Sequence, residues 1–131
     1  MGTFHEPIEI WNPAKPGRKL SLDALVDTGA SYTLVPGRLL RRIGVKATQS
    51  LRFKTADGRV VRSGVAELMA RVKGAATHTW VVFGEKGSEP LLGAYTLEGL
   101  ALGVDSLRRS LVHVTPYLVG FLPAPHKTKR A

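Results

Sequence analysis

Cysteine is absent from this 131-residue chain. That excludes disulfides, thiolate metal sites and a cysteine nucleophile, and it accords with a reducing compartment. Aromatic residues are few, at 7%, and Trp11 and Trp80 are the only tryptophans, so the core has to be built from aliphatic side chains. No uninterrupted apolar run is long enough to span a bilayer. The opening MGTFHEPIEI lacks a basic segment followed by an apolar one, the pattern of a secretory leader. Glu6 stands where a myristoylation signal needs Ser or Thr. These absences set the expectation of a cytoplasmic protein with no membrane partner.

Acidic residues are also scarce. Ten Asp and Glu face 19 Lys and Arg, a formal net charge of +9. The cations gather in short clusters: Arg38, Arg41 and Arg42, then Arg108 and Arg109, then Lys127, Lys129 and Arg130. The simplest role for them is a solvated surface that keeps the protein soluble. Attraction to nucleic acid, anionic lipid or an acidic substrate is the alternative, and for nucleic acid a steep salt dependence would be the signature. No basic helix interleaved with aromatics, zinc finger or RNP motif supports nucleic-acid binding, so no nucleic-acid partner is expected. His5, His78, His113 and His126 are scattered without metal-ligand spacing, and neither a metal nor a cofactor is expected. No Ser/His nucleophile elbow is present.

What the chain does contain is strand pattern. At 131 residues and 44% apolar, it has the size and composition of one ordinary domain. PIEIW alternates, and NPAKPGRK reads as a loop. LSLDALV puts Leu20, Leu22, Ala24 and Val26 on one face, with Ser21, Asp23 and Leu25 on the other. SYTLV is a further strand that stops at Pro36-Gly37. GRLLRRIGV predicts a short helix with Leu39, Leu40 and Ile43 on one side, capped at Gly44. LRFKTADGRVVRSGV predicts a hairpin turning on the two residues Asp57-Gly58. AELMARV and THTWVVF are two more strands around a turn at Gly74. LLGAYTLEGLALGV breaks the alternation and predicts a helical stretch ending at Gly103, with Asp105 capping a turn. SLVHV and YLVGF are candidate closing strands. The expected domain runs over 1–122, with a basic, flexible tail over 123–131.

Within this frame DALVDTGASYTLVP stands out. An apolar run ends on a carboxylate, Asp27, followed at once by Thr28, Gly29 and Ala30. Asp-Thr-Gly alone can be a plain turn, since Asp and Gly are turn formers and Thr can bond the backbone. Here it lies between two apolar β segments. A Gly-tipped hairpin follows about 30 residues on, and an apolar-apolar-Gly triplet opens a later helix. No second Asp-Thr-Gly or Asp-Ser-Gly exists in the chain.

In LVDTGA, in TADG at 55–58 and in LLGAYTLEGLALGVD at 91–105, the sequence resembles the retropepsin-like aspartic proteases, including their small single-domain bacterial and cellular members. The resemblance covers about Leu20 to Val114. It implies a mainly all-β fold, a small closed β-barrel of the acid-protease half-domain type with one or two short helices. It implies an aspartic endopeptidase that acts as a homodimer on polypeptide substrates. Asp27 would be catalytic. Thr28 would bond the partner's backbone, Gly29 would allow close approach to the carboxylate in a conformation a Cβ would hinder, and Ala30 would leave room for the substrate backbone. Ser31 could add a hydrogen bond or be ordinary turn polarity.

The hairpin residues Ala56, Asp57 and Gly58 would bind substrate as a flap, with Gly58 and Gly64 giving mobility; a plain surface hairpin is the alternative. Leu91, Leu92 and Gly93 would pack behind the catalytic loop. Such chemistry needs two carboxylates held close enough that their titrations split. The chain offers one suitable Asp, so the second is expected from another copy across a two-fold axis. Many retroviral members carry an acidic residue after Asp-Thr-Gly-Ala and an Arg after the later Gly, paired at the dimer interface. Ser31 and Ala94 replace both. A catalytically weak peptide-binding or dimerisation module on the same fold is the alternative function.

Overall fold

Alternating apolar residues turn most of the chain into strands that curl into a ring. The structure is a computed structural model and describes residues 3–116 and Leu118. Strands β1 (His5–Trp11) and β2 (Lys19–Val26) form an antiparallel hairpin with Ile8 opposite Leu22 and Ile10 opposite Leu20. Then come β3 (Thr33–Pro36), helix α1 (Gly37–Arg42), β4 (Gln49–Lys54), β5 (Val60–Val72) and β6 (Ala75–Gly84). The chain continues through β7 (Leu91–Leu92), α2 (Ala94–Gly99), β8 (Leu102–Asp105) and β9 (Ser110–His113).

The main sheet runs β1-β2-β7-β3-β6-β5-β4, and β1 also pairs with β5. That extra pairing, Glu9 to Trp11 against Met69 to Arg71, closes the barrel and leaves β4 as an appended edge strand. Closure covers the edge that β1 would otherwise present, while the outer side of β4 stays open. β8 and β9 form a separate two-stranded sheet. The expected closed, mainly β architecture with two short helices is what the chain adopts.

The barrel interior is aliphatic. Ile8, Ile10, Val35, Leu40, Leu68, Val81 and Leu92 are all buried. On β2, Ala24 and Val26 are buried while Ser21 and Asp23 are exposed, so the expected faces hold. Helix α1 buries Leu40 and exposes Arg38, Arg41 and Arg42. It ends with Gly44 at φ +82°, the Val45 N–H bonding the Leu40 carbonyl and the Gly44 N–H bonding the Arg41 carbonyl. This is a Schellman closure, the C-terminal role expected of Gly44.

Three local expectations need correction. AELMARV is not a strand of its own: it is the far half of β5, one 13-residue strand. Its near half pairs with β4 and its far half with β6 and β1, so a single long strand joins hairpin to barrel. The two-residue turn lies at Lys73-Gly74, both with positive φ (52° and 81°) between paired Val72 and Ala75. That is type I′ geometry. At Asp57-Gly58 only Gly58 has positive φ, 88°. The Gly58 N–H bonds the Thr55 carbonyl and the Thr55 N–H bonds the Arg59 carbonyl, the wider turn with a left-handed residue at its end. Finally, α2 ends before Gly103: Ala101 leaves the helix at φ 55°, and Gly103 lies within β8.

Asp105 does hold a turn, its Oδ1 accepting from the N–H groups of Leu107 and Arg108. The candidate strand YLVGF and the tail over 123–131 lie outside the described residues, Leu118 excepted. Among the described residues, no helix is long and apolar enough to cross a membrane.

Candidate active site

Asp27 is the residue at which β2 stops. Its N–H still belongs to the sheet, donating to the Leu92 carbonyl at 3.1 Å, because β2 and β7 run parallel with Val26 beside Leu92. Its carboxylate belongs to the turn: Oδ1 accepts the Gly29 N–H at 2.9 Å, and its carbonyl accepts the Ala30 N–H at 3.1 Å. One side chain thus satisfies the backbone of the loop that carries it, which fixes where the carboxylate sits. Asp27 is half-buried, while Thr28 and Gly29 are exposed. Among the described residues the Thr28 hydroxyl has no hydrogen-bond partner.

Gly29 does not adopt a left-handed conformation, so any hindrance to a Cβ there comes from its neighbours. A Cβ there would lie 3.2 Å from Asp27 Oδ1, so glycine answers the close approach of the carboxylate. Gly93 is more tightly constrained. A Cβ on it would fall 2.5 Å from the Tyr32 carbonyl carbon and oxygen and 3.0 Å from the Ala30 oxygen. Leu92 and Gly93 are buried and Leu91 half-buried, directly alongside the Asp27 loop. From there the Ala94 and Tyr95 N–H groups donate to the Ala30 and Ser31 carbonyls at 2.8 and 2.9 Å. At the positions where an acid and an arginine would pair, backbone hydrogen bonds join the two segments.

Behind this junction lies a feature that the sequence did not announce. Thr33 on β3, Thr79 on β6 and Thr96 on α2 are all buried. Thr96 Oγ1 is 2.6 Å from Thr33 Oγ1 and 2.7 Å from Thr79 Oγ1, and Thr33 Oγ1 accepts the Gly93 N–H at 3.1 Å. Three hydroxyls therefore satisfy one another inside an aliphatic core and hold the residues flanking the Asp27 loop. Each Thr sits in ordinary β-type or helical sequence, so only a contact across the fold reveals the set.

The Asp27 loop forms one wall of a cleft of about 700 Å³. β4 and the base of its hairpin form another, with Arg52, Phe53, Lys54, Thr55 and Ala56 all lining it. Among the described residues that line the cleft, Asp27 is the only carboxylate. The structure brings Asp27, Gly29, Ala30, Ala56 and Leu91 to this one cavity. Asp57 and Gly58 stand apart at the exposed hairpin tip. Thr55 Oγ1 donates to Asp57 Oδ1, the Arg59 N–H reaches the same oxygen, and Arg59 Nε lies 3.0 Å from Oδ2. These bonds, the Thr55 hydroxyl first, hold the Asp57 carboxyl below its usual range.

Gly64 lies inside the β4–β5 ladder opposite Ser50, where a Cβ would meet the Ala47 Cβ at 2.7 Å. It is a close-packing position rather than a hinge. Tyr32 links the two walls: its ring lies 5.9 Å from Phe53 in an edge-on contact and 5.7 Å from Tyr95. These aromatics and the cations of β4 were not singled out from the sequence. The inward step of Phe53 between exposed Arg52 and Lys54 is the signal that could have found them.

Residues 17–99 match the family described as "gag-polyprotein putative aspartyl protease", and the chain belongs to this family of retroviral-type aspartyl proteases. Among solved structures it is similar to the solution structure of simian foamy virus (mac) protease, with 24% identity, a TM-score of 0.49, and coverage of 71% of this chain and 92% of that one. No curated protein matches the chain.

Proposed function

We propose that the chain is an aspartic endopeptidase whose catalytic centre forms from the Asp27 residues of two copies. The observation that carries this reading is the single carboxylate on the cleft, held in an Asp-Thr-Gly turn within an aspartyl-protease family domain. Across a two-fold axis, equal groups meet face to face. Two carboxylates at hydrogen-bond distance share one proton, because ionising both is costly. The charged one takes a proton from a water, which attacks the peptide carbonyl. The protonated one donates to the carbonyl oxygen. Collapse of the tetrahedral species breaks the C–N bond, and the proton held by the first carboxylate passes to the leaving nitrogen.

Thr28 would offer its exposed hydroxyl to the partner's backbone. Gly29 would keep the carboxylate in place, and Ala30 would leave room for the substrate. Leu91, Leu92 and Gly93 would brace the loop from behind. The hairpin carrying Ala56, Asp57 and Gly58 would close over an extended peptide, which pairs with it as an added strand. A second reading, a peptide-binding module that hydrolyses poorly, is favoured by Ser31 and Ala94, which remove a charged contact from the expected interface.

One experiment separates the readings. Wild type and Asp27→Asn are incubated with a peptide library over a range of protein concentrations, alone and mixed. Specific activity should rise with concentration to a plateau, Asp27→Asn should be inactive, and excess Asp27→Asn should poison the wild type. Constant specific activity from a protein that sediments as a monomer would overturn the shared centre. Saturable peptide binding without cleavage would favour the second reading.

A further inference from the structure

β4 is the edge strand of the main sheet, and three of its consecutive residues, Arg52, Phe53 and Lys54, line the cleft that holds Asp27. Phe53 turns inward against Tyr32, while Arg52 and Lys54 are exposed on the opposite face. The other cations of this hairpin are engaged. Arg59 pairs with Asp57 at 3.0 Å, and Arg62, directly opposite Arg52, donates to the Ser50 carbonyl and hydroxyl at 3.4 Å. Arg52 and Lys54 have no acidic partner among the described residues. Within the cleft the one carboxylate is Asp27, and Asp57 on the same hairpin is engaged by Arg59. The cleft edge therefore carries two unneutralised cations two residues apart.

We propose that this cleft selects extended acidic peptides with carboxylates at alternate positions, which Arg52 and Lys54 recognise. The proposal rests on reading the cleft as a peptide site and adds the class of peptide. In a strand, side chains two residues apart share a face and are about 6.7 Å apart. A peptide laid along the open edge of β4 presents its own alternate side chains at the same spacing, beside the two cations. The intervening residue points to the Phe53 side, where Tyr32, Leu34, Val61 and Val82 make the lining apolar. The preferred pattern is acidic–apolar–acidic. Opposite charges at such cross-strand positions attract, and like charges repel. A basic peptide would meet repulsion from Arg52 and Lys54 along the β4 edge.

The test is peptide binding, which does not depend on hydrolysis. Fluorescent peptides of one apolar frame carrying Glu-X-Glu, Gln-X-Gln or Lys-X-Lys are titrated at pH 7 against Asp27→Asn, which binds without cleaving. Glu-X-Glu should bind roughly fivefold to tenfold more tightly than Gln-X-Gln at low salt, with Lys-X-Lys weakest. The gap should close near 1 M salt, where the screening length is only about 3 Å. Adding Arg52→Glu and Lys54→Glu should invert the order.

Adding Arg41→Glu and Arg42→Glu on α1 instead changes the net charge equally, and it should leave the order intact. If the double reversal on β4 disturbs folding, Arg52→Gln with Lys54→Gln serves, and it should level the three affinities. Equal affinities in the starting protein, or an order that the α1 reversal inverts as readily, would overturn the proposal. Absence of cleavage in wild type would count against the protease reading alone, because the binding order is read separately.

Discussion

The hydroxyls of Thr33 and Thr96, 63 positions apart in the chain, meet 2.6 Å from each other in a region sealed from solvent. Thr96 also meets Thr79, so it is the middle of the chain of hydroxyls. Replacing it with Val keeps the shape and leaves two buried hydroxyls short of a partner. Thr96→Val should cost about 1–3 kcal/mol in urea unfolding. Thr96→Ser, which keeps the oxygen, should cost less. Equal losses in the two variants would show that the methyl group, not the hydrogen bonds, carries the stability.

Two glycines near the cleft should respond in different ways. At Gly93 an added Cβ strikes backbone atoms of Tyr32 at 2.5 Å, which cannot swing aside. Gly93→Ala should cost about 3 kcal/mol. At Gly58 an added Cβ meets nothing, and the penalty comes from its φ of 88° alone. Gly58→Ala should cost about 1 kcal/mol. Denaturation midpoints of the two variants compare them directly, and a Gly58 loss as large as the Gly93 loss would refute this ranking.

The hairpin tip should loosen in acid. The Asp57 carboxyl is held below its ordinary range by the Thr55 hydroxyl, then the Arg59 backbone and side chain. A carboxyl whose folded pKa is depressed contributes order that is fully present above its unfolded pKa. That order is lost as pH falls through the depressed value. NMR titration should find the Asp57 midpoint below the ordinary value of about 3.9, moving back up in Thr55→Ala. An unchanged midpoint in Thr55→Ala would remove the hydroxyl as the leading cause.

The type I′ turn at Lys73-Gly74 leaves room for improvement. Lys73 holds φ 52° without the side chain that tolerates it best. Lys73→Asn should stabilise the protein by about 0.5–1 kcal/mol, read as a rise in the denaturant midpoint. No gain would mean that the turn is held from outside its own two residues.

Much of this molecule is local. Strands β1, β2 and β6 follow from alternation, and helix α1 from the spacing of Leu39, Leu40 and Ile43 with Gly44 behind them, because each pattern is decided within a few neighbours. The Asp27 turn is local in part: its side chain and carbonyl bond residues two and three apart, while its N–H and the carbonyls of Ala30 and Ser31 are tied to Leu92, Ala94 and Tyr95. Turn type was less legible. Asp-Gly suits several turns, and the choice at 55–59 was made by Thr55 and Arg59 bonding to Asp57.

By itself, the sequence determined most of the strands and the carboxylate at the end of β2, since these depend on periodicity and on which acids exist. Only the tertiary structure decided that β1 closes onto β5, that three threonines share a buried network, and that Phe53 and Tyr32 bring β4 to the cleft. Such contacts join distant segments, and their energy depends on burial and approach distance, which no run of neighbouring residues contains.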